Sequence, residues 1–324
     1  MLETTNCWKR DLTDNQIYLG YTFEDLKRLE KYQANSELEK GFYTDYFGIK
    51  TDLSFFSITN THHEQTLGRL PFPCDTLHAE ALEYIATVKA VETAKNQFVC
   101  IELGAGYGPW LVFAAKIARQ NGIADITLVG VEADKERIAL MKAHFIKNGL
   151  PTWEENVIKP ENQIITRCIY GGISESKEPL FYGANGIGDW GGAVSNNSSA
   201  EDYRGYELPK QQVPSYTIED ILNDFNHVDY VHIDIQGGEF KSLEHSIASI
   251  NKKVRFMLIA THSRRIEGEL LELFIQNKWS LLHEKPCKFD FNPKLYNLTG
   301  MTTLDGIQVW FNANLYEHSD GILN

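Results

Sequence analysis

Residues 98–110 read FVCIELGAGYGPW, an apolar run that opens into three alternating glycines, Gly104, Gly106 and Gly108, with an acid, Glu102, two positions ahead of the first. A glycine turn leading from a strand into a helix lets a ligand approach the backbone closely, and the helix start offers unpaired N–H groups. A dinucleotide turn wants its third glycine at position 109, where this chain has Pro109, a residue suited to the first position of a helix. Glu102 adds a charge argument. A carboxylate beside the turn repels a pyrophosphate and attracts a ligand that carries an ammonium and a sulfonium. S-adenosylmethionine has both cations and no phosphate. A second acid, Glu132, ends the next apolar run at the spacing where a carboxylate accepts hydrogen bonds from ribose hydroxyls. Glu102, Gly104, Gly106, Gly108 and Glu132 are therefore the expected cofactor contacts.

Methyl transfer from a sulfonium is an in-line displacement in which alignment supplies much of the rate. A hydroxyl acceptor must also lose a proton, and a positioned base contributes about 10²–10⁴-fold to that step. Asp234 closes the run VDYVHIDI and His262 follows VRFMLIAT, so both reach one edge of a sheet in which these strands are neighbours. We expect His262 to be the base, since histidine titrates near neutral pH, with Asp234 orienting it or touching the substrate. The plainer alternatives are a histidine that fastens a loop and an aspartate that caps the Gly237 turn. Asp234, Glu239 and His262 would also be the ligands of a divalent metal that lowers the hydroxyl's pKa, although none has the spacing of a dedicated metal site, and metal is the less favoured mechanism. His232 shares the strand parity of Asp234 but lies deeper and reads as a core histidine, and His62-His63 reads as surface. Arg264 and Arg265 open a helix whose start already carries positive dipole charge, so an anionic substrate group is their expected partner.

The elements that must hold these residues alternate. Leu77, Ala81, Tyr84, Val88 and Val91 fall at helical spacing, followed by the strand FVCIEL, a helix with Trp110, Phe113, Ala114, Ile117 and Ala118 on one face, and the strand ITLVGVEA. Short apolar strands between helices imply a parallel sheet covered on both faces, with all strand C-termini at one edge. Further strands are expected at IITRCIYGG, VDYVHIDI and VRFMLIA, and the runs WSLLHE and GIQVWFN are expected to pair antiparallel at the end. The fold class is α/β, Rossmann-like, with seven mostly parallel strands in residues 75–324 and an N-terminal extension, residues 1–74, read as a cap or dimerisation element. Eight of the 24 glycines lie between 171 and 205, a density that predicts a long loop without helix or strand, acting as a lid with Trp190 against the substrate.

ELGAGYGPW, VEAD with the later Asn148-Gly149, and VDYVHIDIQGGEF resemble the FkbM-type family of class I methyltransferases over about residues 80–284. The most specific part is the D-x-x-G-x-E element, here Asp234, Gly237 and Glu239. The resemblance implies methylation of hydroxyl groups on sugars or sugar-bearing natural products. Two positions depart from the family pattern: Gln236 stands where the family has an acid, and Ala260-Thr261-His262 where it has an E-x-H triplet, so no role of those acids carries over.

Composition narrows the partners. Thirty-one basic against 44 acidic residues give a formal charge of −13, which repels a polyphosphate backbone and disfavours nucleic acid. Five scattered cysteines without C-x-x-C spacing fit a reducing cytoplasm, and no run of about 18 apolar residues predicts a membrane span. The expected partner is a small molecule, with a homodimer as a further expectation. The competing activities are a nicotinamide-dependent oxidoreductase, a methyltransferase of RNA or protein, and a non-catalytic binding protein on the same fold.

Overall fold

The strands at the centre of this chain are apolar at nearly every position, so alternate side chains leave for two opposite cores and both faces of the sheet must be covered. The computed structural model describes residues 20–56, 80–152, 163–186, 188–198 and 201–315. His62-His63 and the first residues of the helix expected from Leu77 lie outside them.

The chain begins with α1 (Phe23–Glu30), started by a reciprocal cap: the Asp25 N–H donates to the Thr22 hydroxyl and the Thr22 N–H to the Asp25 carboxylate. Such caps contribute about 1 kcal/mol. A hairpin of β1 (Phe42–Thr44) and β2 (Lys50–Asp52) follows, then α2 (Ala81–Thr93), β3 (Gln97–Leu103), α3 (Pro109–Gln120), β4 (Asp125–Glu132), α4 (Lys135–Lys147) and β5 (Ile164–Tyr170). After the short β6 (Gly172–Ile173), β7 (Leu180–Gly183), β8 (Ala193–Ser195), β9 (Lys210–Val213) and β10 (Ser215–Tyr216), regular alternation resumes. It runs through α5 (Ile218–Leu222), β11 (Val228–Ile233), α6 (Glu239–Lys253), β12 (Val254–Thr261) and α7 (Arg264–Gln276). The remaining elements are β13 (Ser280–Lys285), the small pair β14 (Lys288–Phe289) and β15 (Thr302–Leu304), and β16 (Gly306–Phe311).

Seven strands form one sheet in the order β13-β16-β12-β11-β3-β4-β5, with β16 antiparallel to both neighbours and the rest parallel. The expected seven-stranded sheet with antiparallel closing strands is thus observed. Chain order reverses direction between β3 and β11, the switch point where a crevice opens beyond the strand ends. Phe98, Cys100, Tyr230 and Phe256 face one core with α2 and α3, while Val99, Ile101, Val231 and Met257 face the other with α6 and α7. No helix of the described residues is long and apolar enough to cross a membrane.

The expected strandless loop over 171–205 is corrected. It contains β6, β7 and β8, and β7 pairs antiparallel with β8 and β9 in a three-stranded sheet. Gly172 serves close packing: a Cβ there would lie 2.8 Å from Leu180 and 2.9 Å from Val194. Glycine density alone therefore misreads a segment whose strands are only a few residues long.

Residues 20–56 share the main core. Phe47 has 0 % exposure and its ring lies 5.4 Å from Tyr84 on α2 and 4.7 Å from Phe113 on α3. We expect Phe47→Ala to lower the stability of the whole domain by about 3–5 kcal/mol in a single urea transition. An unchanged midpoint would show that this segment is not part of the cooperative unit.

Candidate active site

Three backbone turns meet at the switch point. The turn after β3 takes left-handed φ at Gly104, Gly106 and Gly108. A Cβ at Gly104 would sit 1.8 Å from the Asp234 carbonyl oxygen, so only glycine lets this turn cross the turn after β11. The Gly106 N–H donates to Glu132 Oε2 at 2.7 Å, and Asp134 N–H to Glu132 Oε1 at 2.8 Å, which ties the end of β4 to the same loop. Gly108 has another task. It precedes α3, its Cβ would lie 2.8 Å from Met141 Cγ, and it is outside the cavity lining, so the third glycine makes room for α4.

Between these turns lies a cavity of about 340 Å³, a size typical of small-molecule sites. One wall is acidic: Glu83 from α2, Glu102 from β3 and Asp234 after β11, with His232 among them. Glu102 is 2 % exposed and accepts from the Leu111 N–H at 3.2 Å. Burial pushes its pKa well above the usual carboxylate range, with the neighbouring Glu83 and Asp234 adding to the rise. Burial likewise raises Glu83 and Glu132, against the pull of His232 on the former and Arg137 on the latter. Four carboxyl groups, Glu83, Glu102, Glu132 and Asp234, line this one pocket and give it an acidic character.

His232 is buried, as expected from its depth, and also lines the cavity. It is 1 % exposed and stacks on Trp110 at 5.6 Å. Its Nε2 lies 3.1 Å from Glu83 Oε1, while its Nδ1 has no hydrogen-bond partner. Parity with Asp234 was the signal for it; Glu83, from a helix far earlier in the chain, gave none.

Asp234 and His262 are brought together, and of the two it is Asp234, with a side chain 37 % exposed, that lines the cavity. His262 is 2 % exposed and outside the lining: its Nε2 faces Asp234 Oδ1 at 3.2 Å, and its Nδ1 lies 2.7 Å from Oε1 of the fully buried Glu239. Burial alone would lower the His262 pKa, but Glu239 and Asp234 together hold it well above the ordinary value. Burial would raise Asp234, but His262 foremost keeps it below the usual range. Gln236, a non-glycine residue at φ 54°, donates from Nε2 to Asp234 Oδ1 at 2.9 Å and accepts from the Tyr203 hydroxyl at 2.9 Å. Such backbone strain accompanies functional turns. His262 meets Asp234 with Nε2 and Glu239 with Nδ1, so the three groups considered as a metal set are not turned to one common point. Among the described residues no group of three or more His, Cys, Asp or Glu side chains has a metal-holding arrangement.

Trp190 also reaches the cavity. Its ring packs on Phe56 at 5.4 Å and Tyr107 at 5.5 Å, under the Arg137 guanidinium at 4.7 Å. The adjacent Asp189 is gripped by both Arg204 nitrogens, which hold its pKa down at about 2. Arg264 and Arg265 are elsewhere. They are exposed, pair with Glu267 at 3.6 Å and Glu269 at 2.7 Å on their own helix, and do not line the cavity.

A seven-stranded sheet in this order, with a glycine turn and an acidic crevice at its switch point, defines a Rossmann-like class I methyltransferase. The sequence profile of the methyltransferase FkbM domain matches residues 102–280, more than half of the 324 residues, and the chain belongs to that family. It is 28 % identical over 254 residues to a protein of Jannaschia sp. (strain CCS1) that is provisionally named a methyltransferase, covering 76 % of this chain and 85 % of that one. Among solved structures it is similar to a precorrin-6y C5,15-methyltransferase from Geobacter metallireducens, with 10 % identity, a TM-score of 0.38 and coverage of 74 % of this chain and 93 % of that one. It is also similar to the fibrillarin pre-rRNA processing protein of Methanococcus jannaschii, with 14 % identity, a TM-score of 0.34 and coverage of 67 % of each.

The raised His262 pKa carries a stability consequence. Its contribution is fully present below the unfolded value of about 6.5 and is lost as pH rises through the higher folded value. We expect His262→Asn to be destabilised by about 3–5 kcal/mol at pH 6, because Glu239 loses its buried partner, and the gap to the native chain to narrow as pH rises. Chemical denaturation from pH 6 to 9 measures it; a gap that widens would refute the charge assignment.

Proposed function

We propose that this methyltransferase uses S-adenosylmethionine and methylates a hydroxyl of a small sugar-bearing molecule, and the observation that carries the hydroxyl assignment is Asp234. Its carboxylate faces the cavity, is kept ionised at neutral pH, and is backed by a buried imidazolium that is itself backed by Glu239. Oδ1 accepts from Gln236 Nε2 and lies 3.2 Å from His262 Nε2, which leaves Oδ2 for the acceptor's proton. A hydroxyl oxygen becomes acidic as its new C–O bond forms, so a weak base that is always in its accepting form suffices. His262 and Glu239 position that base.

The residues present fit the proposed methyl donor. Glu102 and Glu83 stand ready to ionise against its cationic end, Glu132 is within the same cavity for ribose hydroxyls, and Gly104 and Gly106 line its floor. When bound, S-adenosylmethionine supplies an electrophilic methyl group. Trp190, held by Arg137 and the Asp189–Arg204 pair, helps keep water out. The net charge of −13 argues for a small acceptor over a nucleic acid, and the sugar comes from the family resemblance.

Calorimetry with S-adenosylhomocysteine and with NAD tests the donor, and transfer of a labelled methyl group to a panel of glycosides and nucleotide sugars tests the acceptor. The expected product is an alkali-stable ether. Asp234→Asn is expected to lower kcat by about 10²–10⁴-fold, and a variant within threefold of the native enzyme would remove Asp234 as the base. Affinity for S-adenosylhomocysteine is expected to fall as pH drops, because the upward-shifted Glu102 and Glu83 regain protons and no longer attract the ammonium. A pH-independent affinity would contradict the acidic wall.

A further inference from the structure

The ends of α3 and α4 far from the glycine turn enclose a second cavity, of about 320 Å³, against the β1–β2 hairpin. Its lining shares no residue with that of the first. Lys50 comes from β2, Lys116 and Arg119 from α3, and Lys147 from α4, and among the described residues that line it one acid, Glu39, stands with these four cations. The chain has 31 basic residues to 44 acidic, so an excess of three positive charges around one cavity reverses its general balance. The cations are set in place. Asn148 clamps the Lys50 backbone, accepting from its N–H at 2.9 Å and donating to its carbonyl at 3.0 Å. Glu39 is ion-paired to both Lys50 and Lys147, and Lys147 Nζ lies 3.7 Å from the centre of the Phe42 ring. Arg119 donates to the Gly149 carbonyl at 3.3 Å. A cation in the last turn of a helix complements the helix dipole, which accounts for Arg119 and Lys147. It does not account for Lys116, which lies before that turn and forms no ion pair among the described residues, or for Lys50 on its strand.

We propose that this cavity binds a small polyanion with two or more adjacent phosphate groups, at a site separate from methyl transfer and formed by Lys50, Lys116, Arg119 and Lys147. One phosphate group carries a charge of about −1.5 to −2 at neutral pH, short of the local excess, and a second phosphate closes the gap. Ammonium and guanidinium donors suit phosphate oxygens, the guanidinium through paired N–H groups. Glu39 keeps Lys50 and Lys147 at neighbouring positions, which lowers the ordering cost for a ligand that bridges them. Ile49, Val112 and Leu150 are buried in the same lining, and an apolar wall behind the charges strengthens their attraction for an anion. The shape favours a compact ligand. A nucleic-acid strand is tracked by a groove of cations with aromatic platforms, whereas these cations converge on one hollow between three elements. The site lies at the opposite end of α3 from Pro109 and Trp110, which line the methyl-transfer cavity.

Calorimetry on the full chain at low ionic strength tests this with pyrophosphate as the probe and with inorganic phosphate and a single-stranded RNA oligonucleotide as comparisons. Two double variants remove equal charge: Lys116→Ala with Arg119→Ala in the cavity, and Arg264→Ala with Arg265→Ala on α7, outside both cavities. Pyrophosphate is expected to bind the native chain about tenfold more tightly than phosphate. The cavity pair is expected to weaken it by about tenfold, and the α7 pair to leave it within about twofold. Thermal unfolding establishes that each variant is folded. Lys116→Gln alone, which keeps most of the side-chain stem, is expected to weaken pyrophosphate about threefold, so the test does not depend on the double variant. The proposal is overturned by a native chain that does not bind pyrophosphate, by equal affinity for phosphate and pyrophosphate, or by equal losses in the two pairs. Tighter binding of the oligonucleotide through Lys116 and Arg119 would overturn the small-molecule assignment in favour of a nucleic acid.

Discussion

The site depends on one close approach of backbone to backbone. At Gly104 the turn after β3 comes so near the Asp234 carbonyl that a Cβ there would lie 1.8 Å from the oxygen, while Asp234 N–H donates to Leu103 O at 2.9 Å. These contacts weld the glycine turn to the segment that carries Asp234. The relative placement of the turns that line the cavity follows from that weld and from the parallel register of β3, β4, β11 and β12 behind it. A looser crossing would leave the same residues present and out of line, and alignment supplies much of the rate in a displacement.

The second organising feature is the handling of charge in a dry place. Glu239, His262 and Asp234 form a line from the interior to the cavity, in which the imidazole stands between a buried acid and a more exposed one, with Asp305 a third acid 3.9 Å from Nε2. Glu83, His232 and Glu102 form a second cluster on the same wall, with more acid than base. Buried acids without full compensation are unstable as anions, so their pKa values rise. The first line is internally compensated. The second is short of positive charge.

Much of this was legible in the chain. The glycine turn, the acid ahead of it and the acid ending the next strand are local patterns, and β3, α3 and β4 follow from hydrophobic spacing that any compact fold must respect. The neighbourhood of Asp234 and His262 followed from the right-handed crossover, which leaves little freedom in where parallel strands end. The short strands within 171–205 were hidden because three or four residues carry too weak a periodicity to outvote eight glycines. Glu83 was hidden for another reason: its partner is a strand residue about 150 positions away.

By itself, then, the sequence determined the alternation of strands and helices, the edge at which chemistry gathers and the sign of charge the crevice prefers, because these depend on local spacing and on chain chirality. Tertiary structure alone decided that Asp234 faces the cavity while His262 stands behind it, that Gly108 packs on α4, and that Arg264 and Arg265 spend their charge on their own helix. Which of two neighbouring polar groups is buried, and which partner claims each of its atoms, is fixed by residues such as Glu239 and Met141 that arrive from other elements. Desolvation and pairing act through space, and no local pattern records them.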